Sequence, residues 1–494
     1  MSHKRDIADV IATERLDGLG QKLRLVVALT WPAIMAQMSM IVCEYIDAAM
    51  VGSLGAEPAA AIGLVATTTW LFWGLGSAAS TGFAVQVAHQ VGAGNNEAAR
   101  STLRQAIIVV GLLGVVLAAV GVTISGGLPR WLGGSEAVCA DSTGYFVWFA
   151  LSMPFMLLTF MSAAMLRCSG NMLLPGIVNV AMCVLDVVFN FFLIYETRTV
   201  SVFGTEFTVP GAGLGVVGAA IGSGLAFSVG GIWMFWHLLV KSPRLRGAFR
   251  SVSHKFALSK VTLRRAMTIS WPMALERIVM CGAQILITAI VAPLGTAAIA
   301  ANSFAITAES LCYTPGYGVG DAGTTLVGQS LGAGRKPLAV SFARICLVAG
   351  MTVMGLLGAV MWVLAPEMMA LFTPDETVRA LGTMALRTEA WAEPMFGAAI
   401  VCYCICVGAG YTKAPAFINF GSIWAVRLTL SAILAPQLGL FGVWLAMCIE
   451  LCVRGVVFLY VFMRGRWLTK AKRMDKTVAE DIDATSEPDE LTVV

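Results

Sequence analysis

Long uninterrupted runs of apolar residues alternate with short polar segments along the whole chain. Each run is long enough to cross about 30 Å of hydrocarbon as a helix, and the runs lack the two-residue alternation of barrel strands. Only helices or closed barrels satisfy their backbone groups in lipid. The pattern therefore predicts an all-α polytopic membrane protein with about twelve transmembrane helices, at 25–53, 60–90, 103–126, 143–167, 173–195, 214–240, 266–292, 299–330, 341–364, 384–408, 414–435 and 440–463.

The chain also repeats itself at a constant offset of 240 positions. Residues that shape helices recur in both halves: Trp31-Pro32 as Trp271-Pro272, Leu54-Gly55 as Leu294-Gly295, Gly92-Ala93-Gly94 as Gly332-Ala333-Gly334, and Pro154 as Pro394. Six crossings in each half give both halves the same orientation, so the repeats are parallel. We therefore predict two six-helix lobes, an N-lobe over 25–240 and a C-lobe over 266–465.

Composition and charge agree with a membrane protein and orient it. Of the 494 residues 58% are hydrophobic and 13% are charged, against about 25% charged in soluble proteins. Basic residues cluster in 1–24, in the linker 241–265 and just after the last helix. By the positive-inside rule these segments and both termini are cytoplasmic. The cytoplasmic location of the linker is enough to explain its positive charge, so we expect no nucleic-acid partner. The tail 466–494 turns acidic and lacks apolar periodicity, which predicts disorder.

Nothing in the sequence indicates an enzyme or a metal site. The four histidines are scattered, no nucleophile motif is present, and most of the twelve cysteines lie inside apolar runs. We therefore expect no catalytic residues, no metal ligands and no disulfide framework.

The order of the motifs resembles the multidrug and toxic compound extrusion (MATE) family over nearly the whole chain. The matching motifs are Trp31-Pro32, Asp47 followed by Val51-Gly52, Val91-Gly92-Ala93-Gly94-Asn95, Gly170-Asn171 with Pro175, Gly328-Gln329-Ser330-Leu331-Gly332-Ala333-Gly334, Gly442-Val443-Trp444 and Gly465-Arg466-Trp467. The resemblance implies two lobes in a V around a central cavity. It implies an antiporter of a bacterial-type cytoplasmic (inner) membrane that exports small organic, often cationic and amphipathic, compounds in exchange for H⁺ or Na⁺, with no cofactor besides that ion. We expect the protein to be a monomer in the bilayer. A lipid-linked oligosaccharide or lipid flippase of the same superfamily is the alternative, which acids rather than basic residues in helices 1 and 5 disfavour.

Ionisable residues inside membrane helices are costly and point to function. Gln37, Glu44 and Asp47 share one stripe of helix 1, and Asp186 and Asn190 share a face of helix 5. Asp47 falls at the family's helix 1 aspartate, whereas the family often has the helix 5 amide and acid in the opposite order. We predict a cation-coupling site of Asp47, Asp186 and Asn190 with Glu44. Structural hydrogen bonding is the alternative role for each acid.

The second lobe lacks equivalents of these residues. The offset carries Asp47 to Ile287 and Asn190 to Leu430. We therefore place the ion in the first lobe and expect the second lobe mainly to shape the cavity.

For the substrate cavity the sequence offers candidates of several types: Gln37, Asp321, Glu389, Glu393, Tyr313 and Met156. Glu389 and Glu393 fit equally well as rim residues near Pro394, a proline that should loosen helix 10. Glu276 and Arg277, adjacent on helix 7, are predicted to form a gate or a structural pair.

Overall fold

A computed structural model of the chain describes residues 7–13, 16, 18–202, 205–248 and 259–469. Parts of the predicted 1–24 and 241–265 segments lie outside the described residues, and so does the tail from 470 onward, for which disorder was predicted.

The first six long helices follow the predicted apolar runs. They are α1 (Leu19–Gly52), α2 (Ala56–Gly92), α3 (Asn96–Ser125), α4 (Glu136–Cys168), α5 (Leu173–Leu193) and α6 (Gly215–Val240). A short helix, Ile7–Thr13, precedes them, and another, Leu128–Trp131, lies between α3 and α4.

The second six helices repeat this order with two irregularities. They are α7 (Lys260–Val291), α8 (Thr296–Gly332), α9 (Lys336–Phe372), α10 in two parts (Glu376–Glu389 and Glu393–Gly408), α11 (Lys413–Leu438) and α12 (Leu440–Met463). The two parts of α10 meet at 60° just before Pro394, which lacks the N–H that would continue the helix. α11 contains a π-helical turn, Ser422–Leu428, that the sequence did not predict.

Within the described part of the chain, ten helices are long and apolar enough to cross a membrane, and the bent α10 pair brings the number to eleven. α8 completes the twelve; it is 37 residues long, and most of its second half is buried. Large apolar side chains on outer faces, such as Leu112 at 63% and Leu356 at 64% exposed, have no protein to cover them and suit contact with lipid. The predicted all-α fold of twelve helices in two lobes is confirmed.

Two connections differ from the prediction. The loop after α5 is an antiparallel hairpin of β1 (Glu196–Val202) and β2 (Thr205–Ala212), in a stretch rich in the β-branched residues that favour strands. α7 begins at Lys260 rather than at 266, and the Ser259 hydroxyl caps it by accepting from the Thr262 N–H at 3.4 Å.

The basic linker also packs against the lobes. Arg244 is buried, donates to the Val91 carbonyl at 3.3 Å and pairs with Asp9 of the N-terminal helix at 2.7 Å. The charge of Arg244 therefore makes a specific contact and also adds to the positive charge of the linker.

The two lobes meet through contacts that the repeat relates to each other. His89 Nε2 on α2 donates to the Gly408 carbonyl at the end of α10, at 2.9 Å. Gln329 Nε2 on α8 donates to the Cys168 carbonyl at the end of α4, also at 2.9 Å. Residues 89 and 329, and residues 168 and 408, are 240-offset pairs. Each lobe therefore uses the same position to hold the other.

Glycine allows α2 and α8 to cross closely at this junction. A Cβ at Gly92 would overlap the backbone of Gln329, and a Cβ at Gly332 would overlap the backbone of His89. Because any larger residue would force the two backbones apart, the two equivalent glycines set the spacing of the lobes.

Candidate functional site

The polar residues predicted on the first and fifth helices meet in the structure. Asn190 Nδ2 on α5 donates to Asp47 Oδ1 on α1 at 2.7 Å, and Cys43 Sγ donates to Asp186 Oδ2 at 2.9 Å. Cys43 and Asp47 are four residues apart on α1, as Asp186 and Asn190 are on α5, so each pair shares a helix face. The two faces join through one carboxylate–amide and one thiol–carboxylate contact.

This α1–α5 site keeps acceptor atoms that no described protein group satisfies. Asp186 and Asn190 are buried, and Asp186 Oδ1 and Asn190 Oδ1 have no hydrogen-bond partner among the described residues. Ligand atoms of Cys43, Asp47 and Asp186 all lie within 4.8 Å of one another. Buried oxygens without partners are costly unless a proton or a cation satisfies them. The arrangement is therefore suited to hold one. Cys43 was not among the residues that the sequence analysis selected.

Glu44, the fourth predicted member, lies at the edge of this site. It is exposed on α1, three residues before Asp47. Beside it the Tyr45 hydroxyl donates to the Thr307 carbonyl of α8 at 2.5 Å, so α1 contacts the second lobe directly next to the α1–α5 site.

A cavity of about 330 Å³, the central cavity, is lined mainly by N-lobe residues, and Arg277 and Asp321 are its lining residues from the C-lobe. Two of the predicted cavity residues line it: Gln37 Nε2 on α1 donates to Asp321 Oδ2 on α8 at 3.4 Å. Arg167 of α4 also lines the cavity, with its Nε 3.9 Å from Asp321 Oδ2, and Arg277 of α7 lines it as well. Neither arginine was predicted as a cavity residue, because the sequence analysis searched membrane helices for acids.

Aromatic side chains form one wall of the cavity. Trp73, Phe160 and Phe227 line it and pack edge to face, with ring centroids 5.7 to 6.3 Å apart. Trp73 Nε1 is buried without a hydrogen-bond partner. The cavity therefore combines an apolar wall with several polar donors.

Glu276 and Arg277 do not pair with each other among the described residues. Glu276 is buried and accepts from the Tyr403 hydroxyl at 2.8 Å and from Asn419 Nδ2 at 2.6 Å, whereas Arg277 faces the cavity. Glu276 thus ties α7 to α10 and α11, and the two neighbours on α7 have separate surroundings.

The other predicted cavity residues lie elsewhere in the described structure. Glu389 and Glu393 are fully buried, with Glu389 beside Glu309 and Glu393 beside Cys312, and neither carboxylate forms an ion pair within the described residues. Tyr313 packs edge to face on Tyr317 and Phe396. Met156 is buried in the N-lobe and accepts a contact from the Ser152 hydroxyl at 3.3 Å. None of the four is among the residues that line the central cavity.

Two further acids of the C-lobe were missed by the sequence analysis. Glu309 of α8 is buried close to Glu389. Glu450 of α12 is fully buried, and its Oε2 accepts from Arg427 Nη2 at 2.7 Å, while its Oε1 lies 3.0 Å from Arg454 Nε. An acid within an apolar run, the signal used for Asp47, would have found both.

The α1–α5 site and the cavity occur in a chain that matches a known family twice. The MatE family profile matches residues 32–192 and again residues 272–433. The start points, 32 and 272, differ by the same 240 positions as the sequence repeat, which supports the duplication independently.

Relatives cover nearly the whole chain. It is 26% identical over 458 residues to a protein of Thermotoga maritima described as a probable multidrug resistance protein NorM, covering 92% of this chain and 95% of the relative. It is 24% identical over 466 residues to the multidrug resistance protein MdtK of Edwardsiella ictaluri, covering 91% and 96%.

Solved structures have the same fold. The crystal structure of a MATE protein in complex with MaL6 superposes with a TM-score of 0.84, at 19% identity, over 94% of this chain and 99% of that one. At this identity the likeness concerns the fold alone. Because the family profile covers well over half of the chain, in both halves, the chain belongs to the MatE family of multi-pass membrane transporters.

Proposed function

We propose that this protein is a secondary active antiporter that exports small organic compounds in exchange for H⁺ or Na⁺. The observation that carries the proposal is the α1–α5 site, where two carboxylates, an amide and a thiol converge with unsatisfied buried oxygens. A transporter needs such a site to bind its driving ion, and a separate cavity to bind its substrate. Relatives described as multidrug resistance proteins support the export of organic compounds.

The coupling follows from how the ion changes the contacts between α1 and α5. A proton or Na⁺ on Asp47 competes with the amide of Asn190 for the carboxylate, and so alters the packing of the two helices. Gln37, three turns of α1 toward the N-terminus from Asp47, lines the cavity. A shift of α1 would therefore change the cavity wall. By thermodynamic linkage, the substrate must affect ion binding as much as the ion affects substrate binding.

The setting we propose is the bacterial cytoplasmic membrane, with both termini cytoplasmic and the protein monomeric. The basic residues next to α6, α7 and α12 support this orientation by the positive-inside rule. The proposed partners are then the small organic substrate and the lipid bilayer, and we propose no nucleic-acid partner.

The experiment is gradient-driven efflux of organic compounds from proteoliposomes, with pH and Na⁺ gradients imposed separately. Asp47→Asn and Asp186→Asn should abolish gradient-driven efflux while expression and folding stay normal. Asp141→Asn, an exposed acid on α4, is the matched control and should keep full activity. Full activity of Asp47→Asn would remove that residue from coupling, and an efflux rate that ignores both gradients would contradict antiport.

A flippase of lipid-linked or other lipid anions is the second candidate, because two arginines line the cavity. Reconstituted protein would then move a fluorescent phospholipid or lipid-linked sugar between leaflets. Lipid movement at the rate of protein-free vesicles would exclude this alternative.

A further inference from the structure

We propose that the central cavity selects small organic anions with an aromatic group, such as aryl sulfonates and aryl carboxylates, over organic cations. This inference deepens the proposed export function and rests on it for the transported substrate. It reverses the charge that the family resemblance implies for the substrate.

The charges that line the cavity are the first observation. Arg167 and Arg277 line it together with one acid, Asp321. Asp321 accepts from Gln37 at 3.4 Å, and Arg167 approaches it only to 3.9 Å. With two guanidinium groups against one carboxylate, the lining carries one excess positive charge, which attracts an anion and repels a cation.

Arg277 is the cavity arginine without a direct partner in the described structure, and Glu276, its neighbour on α7, acts on its charge only from a distance. Among the described residues it has no hydrogen bond or ion pair, and its neighbour Glu276 accepts from Tyr403 and Asn419 instead. Its side-chain stem packs over Gly74 of α2, where a Cβ would lie 2.8 Å from Arg277 Cγ. Gly74 thus leaves room for the stem and lets the guanidinium face the cavity. A planar guanidinium with free donors matches a carboxylate or sulfonate in two parallel hydrogen bonds.

The hydrogen-bonding groups of the wall point to the same ligand. Trp73 lines the cavity, and its Nε1 is buried without a hydrogen-bond partner in the described part of the chain. An indole nitrogen can only donate. A buried donor left without an acceptor is costly. An anionic oxygen supplies that acceptor, whereas an ammonium group, which only donates, does not.

The aromatic wall explains why the anion should carry a ring. Trp73, Phe160 and Phe227 form a three-ring cluster on the cavity surface. Such a surface packs well against another ring. These faces would also accept a cation, so the rings alone do not choose the charge. The arginines and the indole N–H make that choice.

The test is equilibrium binding of two probes that share a ring and differ in charge, naphthalenesulfonate and naphthyltrimethylammonium. Calorimetry on the full-length protein in lipid nanodiscs measures both without any ion gradient. We expect the sulfonate to bind more tightly than the ammonium probe. Arg277→Gln should weaken sulfonate binding by about tenfold or more, the loss of one charge-assisted hydrogen-bonding group. Asp321→Asn should tighten it.

Two further variants keep the result interpretable. Arg277→Lys keeps the charge but loses the planar fork, and should give an intermediate affinity. Arg387→Gln removes an arginine that donates to the Trp362 carbonyl outside the cavity, and should bind the sulfonate as wild type does. Tighter or equal binding of the ammonium probe, absence of sulfonate binding, or unchanged affinity in both Arg277 variants would overturn the proposal. Sulfonate binding without gradient-driven transport would count against the export function alone, since binding is measured without a gradient.

Discussion

Replacing Glu450 with glutamine should destabilise the C-lobe strongly, because it removes the counter-ion of two buried arginines. Glu450 is fully buried, and it accepts from Arg427 Nε at 3.0 Å and Nη2 at 2.7 Å and from Arg454 Nη2 at 3.3 Å. The Ser422 hydroxyl also donates to it. The side chains of Arg427 and Arg454 are only 15% and 8% exposed, so water cannot replace the lost carboxylate.

The magnitude follows from the contacts. Each hydrogen bond to a charged group contributes about 1.5–3 kcal/mol, but the four contacts share one carboxylate and glutamine keeps one acceptor oxygen, so their sum overestimates the loss. Removal of one partner from a buried ion pair costs about 3–5 kcal/mol, and we expect that range for Glu450→Gln. Glu393→Gln is the matched control, since Glu393 is equally buried but has no arginine or lysine partner among the described residues. That change should cost less than about 1 kcal/mol or stabilise the protein.

The assay is reversible unfolding in mixed micelles by titration with sodium dodecyl sulfate, followed by tryptophan fluorescence. The double variant Glu450→Gln/Arg427→Gln returns the cluster to its original net charge, and should recover at least about 1 kcal/mol of the loss. Equal losses of unfolding free energy for the Glu450 and Glu393 changes would refute the reasoning, because the loss would then depend on burial of the acid and not on its pairing with arginines.

Three smaller changes test other contacts. Gly92→Ala should cost about 1–3 kcal/mol of unfolding free energy, because the added Cβ would meet the α8 backbone. Gly111→Ala, whose Cβ meets nothing within 4 Å, should be neutral or stabilising. Equal effects of the two changes would contradict the close crossing. Trp444→Phe should cost about 1–3 kcal/mol by leaving Asn302 Oδ1 buried without the indole donor at 3.0 Å, and an unchanged thermal midpoint would exclude that hydrogen bond from stability. Asp9→Asn should cost about 1–3 kcal/mol in the same titration, because it takes the carboxylate from the buried Arg244, while the 68% exposure of the Asp9 side chain keeps the loss below that of Glu450→Gln. An unchanged midpoint would exclude this ion pair from stability.

The sequence predicted the helices and the duplication well, because long apolar runs and recurring prolines and glycines are local signals. It also predicted that Glu44 and Asp47 share a face of helix 1 and that Asp186 and Asn190 share a face of helix 5, which follows from the helical period. The sequence could not predict that these faces of helices 1 and 5 would pack against each other. Cys43 joined the α1–α5 site through tertiary packing alone, as a thiol in an apolar run looks like any core cysteine.

Other differences have separate physical causes. Glu389 and Glu393 are acids in a membrane helix, as Asp321 is, but they stand on the two sides of the 60° bend of α10, fully buried and away from the cavity lining. Arg277 was considered only with its sequence neighbour Glu276. Adjacent residues on a helix point in directions about 100° apart, so their separate surroundings follow from helical geometry.

The crossing of α2 and α8 has a consequence for how this protein arose. In a symmetric homodimer, one surface patch binds its own copy, so every contact occurs twice. The paired contacts here, His89 with the Gly408 carbonyl and Gln329 with the Cys168 carbonyl, have that form within a single chain. The junction thus has the geometry that the fusion of a symmetric dimer through a linker would leave. Once joined, the two copies could diverge: histidine and glutamine now make the same bond, while only one half keeps the acids of the α1–α5 site.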